Sequence, residues 1–134
     1  MAKEPILIVD DNLMNLKLAK RLLELEEYHV LTARNAEETL ELLKFYRPRL
    51  ILMDYGLPEV DGVELTRKVR NDPKNRDILI LMVTSYDQHG DEAKSKEAGC
   101  DGYLHKPLDT QKLPEIIAGY LRIGSHGAGQ SGMK

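Results

Sequence analysis

The sequence predicts an α/β fold, a doubly wound parallel sheet of five strands with helices on both faces. Short apolar runs at residues 6–9, 29–33, 50–53, 78–83 and 102–104 alternate with longer segments of helical periodicity. The runs ILIV, LILM and ILILMV are aliphatic at successive positions rather than at alternate ones, a pattern that belongs to strands covered on both faces. A chain of 134 residues, 42% hydrophobic and 31% charged, suffices for one domain with a proper core.

Each element has a readable reason. The first strand ends at Asp10-Asp11, and a helix follows from about Asn12 to Glu27 with Leu16, Ala19, Leu22 and Leu23 as its buried stripe. The second helix opens at Asn35 with Glu38 three residues on, and the third near Asp61 with Glu64 at the same offset, both the pattern of a capped N-terminus. A fourth runs from about Asp91 to Ala98 and stops at Gly99. The fifth follows Asp109, tolerates Pro114 in its first turn, and presents Ile116, Ile117, Tyr120 and Leu121 as an apolar face. After Arg122 that face stops. Residues 123–134, IGSHGAGQSGMK, carry four glycines and are expected to be a disordered tail, which leaves residues 4–122 as the domain.

Composition excludes several classes. The longest apolar run, Ile78 to Val83, is six residues and MAKEP has no signal-peptide core, so no membrane insertion is expected and the expected location is cytoplasmic. A net charge of −3 with dispersed Lys and Arg gives no footprint for direct nucleic-acid binding. The single cysteine, Cys100, reads as a small buried apolar group, and His29, His89, His105 and His126 show no metal-ligand spacing. The charges from Lys94 to Glu97 read as a solvated helix face.

Right-handed crossovers between five βα units favour the flavodoxin-like strand order 2-1-3-4-5, with ligands at the carboxyl ends of strands 1 and 3. Those ends carry the chemistry: Asp10-Asp11 after strand 1, Asp54 after strand 3, Thr84-Ser85 after strand 4 and Lys106-Pro107 after strand 5. Taken alone, Asp10 and Asp11 could end a strand and cap a helix, and Thr84-Ser85 could begin a turn. Three carboxylates with one ammonium and one hydroxyl instead suit a hard divalent cation such as Mg²⁺, bound directly by one of the paired acids and through water by the other. A carboxylate can also attack phosphorus, and a metal, an ammonium and a hydroxyl are what phosphoryl transfer needs. Spacing does not say which Asp is attacked, although Asp54 has no adjacent acid and stands at the switch point of the sheet.

In Asp10-Asp11, DYGLPEVDG (Asp54 to Gly62), Thr84-Ser85 and AGCDGYLHKP (Ala98 to Pro107), the sequence closely resembles the receiver domain of two-component response regulators. The likeness covers about residues 4–122, with the motifs in family order at family spacings. It implies that Asp54 accepts a phosphoryl group from a sensor histidine kinase or a histidine phosphotransfer protein. It further implies that Asp11, Asp54 and the backbone carbonyl of Gly56 ligate Mg²⁺, with Asp10 helping through water. Lys106 would pair with the phosphoryl oxygens, Thr84 would hydrogen-bond the attached group, and Tyr103, at the family's switch-aromatic position, would turn inward behind it. The Lys106-Pro107 bond would be cis. Such a protein catalyses only its own phosphorylation and dephosphorylation. It signals to a downstream protein through the face of the fourth helix, fifth strand and fifth helix, as a monomer or weak dimer.

The run GDEAKSKEAGCDGYLHKPLD resembles stand-alone regulators of the DivK type or the receiver module of a hybrid kinase. Rival readings fit less well. An aspartate-nucleophile phosphatase needs a second Asp two residues after its first, where this chain has Asn12. An FMN binder needs a Ser, Thr or Gly phosphate loop where two acids stand, and a docking module that is never phosphorylated would not need the full set of acids, Thr and Lys.

Overall fold

Why the aliphatic runs do not alternate is plain from where their side chains go: all five residues of strand β3 (Leu50–Asp54) are buried. The computed structural model describes residues 3–84 and 91–130. Among them the other strands are β1 (Lys3–Val9), β2 (Tyr28–Ala33), β4 (Leu79–Thr84) and β5 (Gly102–His105). The helices are α1 (Leu13–Leu25), α2 (Ala36–Leu42), α3 (Gly62–Asn71), α4 (Asp91–Ala98) and α5 (Leu113–Gln130), with a 3-10 turn at Pro73–Asn75. The five strands form one parallel sheet in the order β2-β1-β3-β4-β5, as the βα repeat predicts.

Successive residues of one strand feed opposite cores, because side chains alternate across a sheet. Leu7 and Val9 of β1 join Ile51, Met53, Ile80 and Met82 in a cluster covered by α2, α3 and α4. Ile6 and Ile8 join Leu50, Leu52, Leu81 and Val83 in a second cluster under α1 and α5. Pro5, which lacks an N–H, falls where the β1–β2 register is irregular, a position that needs no ladder bond.

The helix starts follow their caps. Asn12, Asn35 and Asp61 accept from the backbone N–H groups of Asn15, Glu38 and Glu64, and the Asp109 carboxylate accepts from Gln111 and Lys112 ahead of α5. Helix ends depart from expectation in two places. Helix α1 stops at Leu25 rather than Glu27, since Glu27 has φ 71 and a left-handed residue cannot continue a right-handed helix. Leu22 is half-buried beside the fully buried Leu16, Ala19 and Leu23. Helix α5 runs to Gln130, so residues 123–130, expected as a disordered tail, are helical instead. An established helix adds one hydrogen bond per residue whether or not an apolar face continues, whereas the boundary expected at Arg122 rests on the end of that face and on the glycines that follow. Residues 131–134 lie outside the described residues.

Two close approaches fix the layers. A Cβ on Gly62 would lie 2.6 Å from the carbonyl oxygen of Asp54 and 2.9 Å from the Cα of Tyr55, so the first turn of α3 sits directly on the end of β3. Arg70, near the end of α3, donates from Nε to the Gly99 carbonyl (3.0 Å) and from Nη1 to the carbonyls of Asn75 (2.9 Å) and Arg76 (3.3 Å). It also donates from Nη2 to the Asp101 carboxylate (2.9 Å), whose same oxygen accepts the Ile80 N–H. One guanidinium thus ties α3, the 3-10 turn and the α4–β5 loop together. No helix of the described residues is long and apolar enough to cross a membrane.

Candidate functional site

Parallel strands all end at one edge, so the polar residues that follow β1, β3 and β5 meet there. Asp10 follows β1 and is 8% exposed; Asp54 ends β3 and is 5% exposed; Asp11 is exposed beside them. The three offer carboxylate oxygens that all lie within 4.8 Å of one another. Lys106, just after β5, places Nζ 3.0 Å from Asp54 Oδ1 and 4.0 Å from Asp10 Oδ2. The Gly56 N–H donates to Asp54 Oδ1 at 3.2 Å. Together with Asn12 and Asn15 these residues line a cavity of about 390 Å³.

One ammonium does not balance three carboxylates. Like charges near 4 Å repel by about 1 kcal/mol in water and by about 4 kcal/mol near a protein surface. Burial, and then the neighbouring Asp54 charge, push the Asp10 carboxyl above its ordinary value. The Asn12 N–H at 2.9 Å, the Lys106 charge and the Asn15 amide pull against that shift. The site therefore holds more negative charge than its donors compensate, and every donor atom is a hard oxygen. That set fits Mg²⁺, which favours carboxylate oxygens and retains water.

Thr84 and Tyr103, also singled out in the sequence, are not among the residues that line this cavity. Thr84 ends β4 and is 1% exposed. It stands in register with His105, and its carbonyl accepts the Lys106 N–H at 2.7 Å. Tyr103, half-buried and level with Met82, packs against the cluster under α2, α3 and α4. The Lys106-Pro107 bond is cis. Ser85 and His89 lie outside the described residues, and the side chain of His126 does too. Asn15 was not anticipated: its Nδ2 donates to Asp10 Oδ2 at 3.3 Å. The available signal was a polar residue in the first turn of α1, three after the Asn12 cap and on the Asp10 side. Beside the polar cavity runs an apolar one of about 350 Å³ between α1 and the β5–α5 loop, lined in part by Leu18, Leu22, Pro107, Leu108 and Leu113.

A 2-1-3-4-5 parallel sheet with an acid triad and a lysine gathered at its carboxyl edge defines a receiver domain. The chain belongs to the response regulator receiver domain family, which it matches over residues 6–118. It is 40% identical over 116 residues to the polar-differentiation response regulator DivK of Brucella anthropi, covering 87% of this chain and 94% of that one. The DivK of Brucella ovis is 38% identical with the same coverage. Among solved structures, the CheY-like receiver domain protein of Methanospirillum hungatei has a TM-score of 0.84 at 33% identity, covering 93% of this chain and 98% of that one. The receiver domain of the sensor histidine kinase PA1611 of Pseudomonas aeruginosa, solved with magnesium coordinated in its active site cleft, has a TM-score of 0.81 at 29% identity. That alignment covers 90% of this chain and 98% of that one. The chain is thus a DivK-like receiver domain of two-component signalling.

Proposed function

We propose that Asp54 is the phosphoacceptor, taking a phosphoryl group from a phosphohistidine on a sensor histidine kinase or a histidine phosphotransfer protein. The observation that carries this reading is the placing of Asp54, buried yet open to a cavity shared with Asp10, Asp11 and Lys106. Among the described residues, the Gly56 N–H and Lys106 Nζ both donate to Asp54 Oδ1 and so fix the orientation of the carboxylate. A new O–P bond forms as the P–N bond breaks, and the histidine imidazole leaves with the bonding pair and takes up a proton from solvent.

Asp11, Asp54 and the Gly56 carbonyl would hold Mg²⁺, with Asp10 acting through water. When bound, the cation supplies the positive charge that three carboxylates and an incoming phosphoryl group together lack. Lys106, now on Asp54 Oδ1, moves its Nζ to a phosphoryl oxygen, and Thr84 hydrogen-bonds another. The exposed Leu13, Met14 and Leu18 of α1 form an apolar shoulder next to the site, suited to a helix that carries the donor histidine.

The product is a signal, not a released metabolite. The chain acts in the cytoplasm, as a monomer or weak dimer, and catalyses only its own phosphorylation and dephosphorylation. Drawing Thr84 inward makes room for the Tyr103 ring, and the face of α4, β5 and α5 changes for a downstream protein partner. Incubation with a small acyl phosphate and Mg²⁺, followed by intact-mass measurement, should show one base-labile phosphoryl adduct. Equal labelling of Asp54→Asn would end the assignment.

A further inference from the structure

Strand β5 sets two rings on one face of the sheet. Tyr103 and His105 are two residues apart, so both project to the side covered by α4, and their ring centroids lie 5.3 Å apart at an interplanar angle of 86°. Across the parallel ladder, His105 is level with Thr84 and Tyr103 with Met82. Residues in register on neighbouring strands share a face, so the imidazole stands beside the Thr84 position and edge to face with Tyr103. The strands are also tied at this level, because the Lys106 N–H donates to the Thr84 carbonyl at 2.7 Å. Thr84 is therefore linked directly to residues 105 and 106, and to the Tyr103 ring through the His105 ring.

We infer that His105 is a positioning residue of the output switch, its edge contact holding the Tyr103 ring where it lies in the unphosphorylated protein. The inference rests on the proposed phosphorylation-driven movement of Thr84 and Tyr103 and adds a third side chain to it. Edge-to-face ring pairs attract through the positive edge of one ring and the negative face of the other, beyond the area they bury. A ring held in this way gives up the contact on turning inward, so the contact weights the equilibrium toward the unphosphorylated arrangement. By linkage, a ligand of the phosphoryl site that needs the inward arrangement binds more weakly while the contact exists. His105 is exposed on an edge strand, so its truncation leaves both apolar clusters intact.

Beryllofluoride, a mimic of the aspartyl phosphoryl group, provides the test when titrated with Mg²⁺ into the full chain and followed by the fluorine resonance of the bound ion. His105→Ala should reach half-saturation at about two- to tenfold lower beryllofluoride than the parent, the range of one aromatic contact. His105→Phe, which keeps a ring edge, should stay at the parent value. In a Tyr103→Ala background the His105→Ala substitution should change nothing, because the contact is already gone. An unchanged His105→Ala midpoint overturns the inference, and so does an equal gain in the Tyr103→Ala background or a His105→Phe midpoint matching His105→Ala. If Thr84→Ala and Tyr103→Ala themselves leave the midpoint untouched, the Thr84–Tyr103 reading is wrong and this inference falls with it. If they shift it and His105→Ala does not, only the role of His105 is lost.

Discussion

From Leu50 to Met53, β3 is no more than 2% exposed at any position and each side chain joins an apolar cluster, whereas the next residue, Asp54, is 5% exposed and faces two further carboxylates. The first four residues each gain about 1.5–3 kcal/mol from burial. At Asp54 the same burial is a cost, offset by one ammonium at 3.0 Å and one backbone N–H at 3.2 Å. Within a single strand, then, the chain passes from residues that fill volume to a buried carboxylate, the one proposed above as the phosphoacceptor. Substitutions in the two stretches should therefore fail in different ways.

The sharpest break is Asp54→Asn: it should fold normally and lose all base-labile labelling, since an amide is no nucleophile, and a mass spectrum of the acyl-phosphate-treated variant checks this. Ile51→Ala should do the reverse, losing about 2–5 kcal/mol in urea unfolding while the part that remains folded still labels. A labelling loss larger than its unfolded fraction would blur the distinction. Asp10→Asn sharpens the comparison further. Because burial disfavours the ionised Asp10 carboxyl, the variant should be more stable than the parent in EDTA, and Mg²⁺ should raise its melting temperature less. A variant less stable than the parent in EDTA would show that Asp10 supports the fold rather than opposing it.

The smallest effect belongs to Glu38, an acid outside the site. The Arg34 N–H at 2.8 Å, followed by the Arg34 guanidinium at 3.1 Å, holds Glu38 below its ordinary value of 4.5. A lowered carboxyl contributes stability that is present above the unfolded value and lost as pH falls through the folded one. Glu38→Gln should cost less than about 1 kcal/mol at neutral pH, because the pair is exposed and screened, and nothing once the pH is well below 4.5. A cost that grows on acidification would contradict the assignment. Of the two kinds of charge, one serves the fold and the other strains it.

Features legible in the sequence were those encoded by neighbours in the chain. Aliphatic runs give strands, Asn35 and Asp61 announce helices through the N–H groups three residues on, and acids placed at strand ends converge once the sheet is parallel. Illegible features depend on residues far apart. Arg70 and Asp101 are 31 residues apart, and neither has a local reason to pair. Gly62 resembles any helix-start glycine until the Asp54 carbonyl is found against it. His105 drew attention only as a metal ligand that lacked a partner, and its ring contact depends on the rotamer of Tyr103 rather than on spacing. The extension of α5 had no apolar stripe to reveal it.

Arg70 has a mechanical consequence. By gripping the Gly99 carbonyl and the Asp101 carboxylate, it anchors the carboxyl end of α4 to α3, whose own first turn is seated on the strand that carries Asp54. A rod anchored at one end moves most at the other. At 1.5 Å per residue α4 is a lever about 12 Å long, so a tilt of about 10° at the Gly99 fulcrum carries its amino end through about 2 Å. That end follows directly on the segment after Thr84. Any tilt of α4 about that grip would be largest at the end nearest the segment after Thr84.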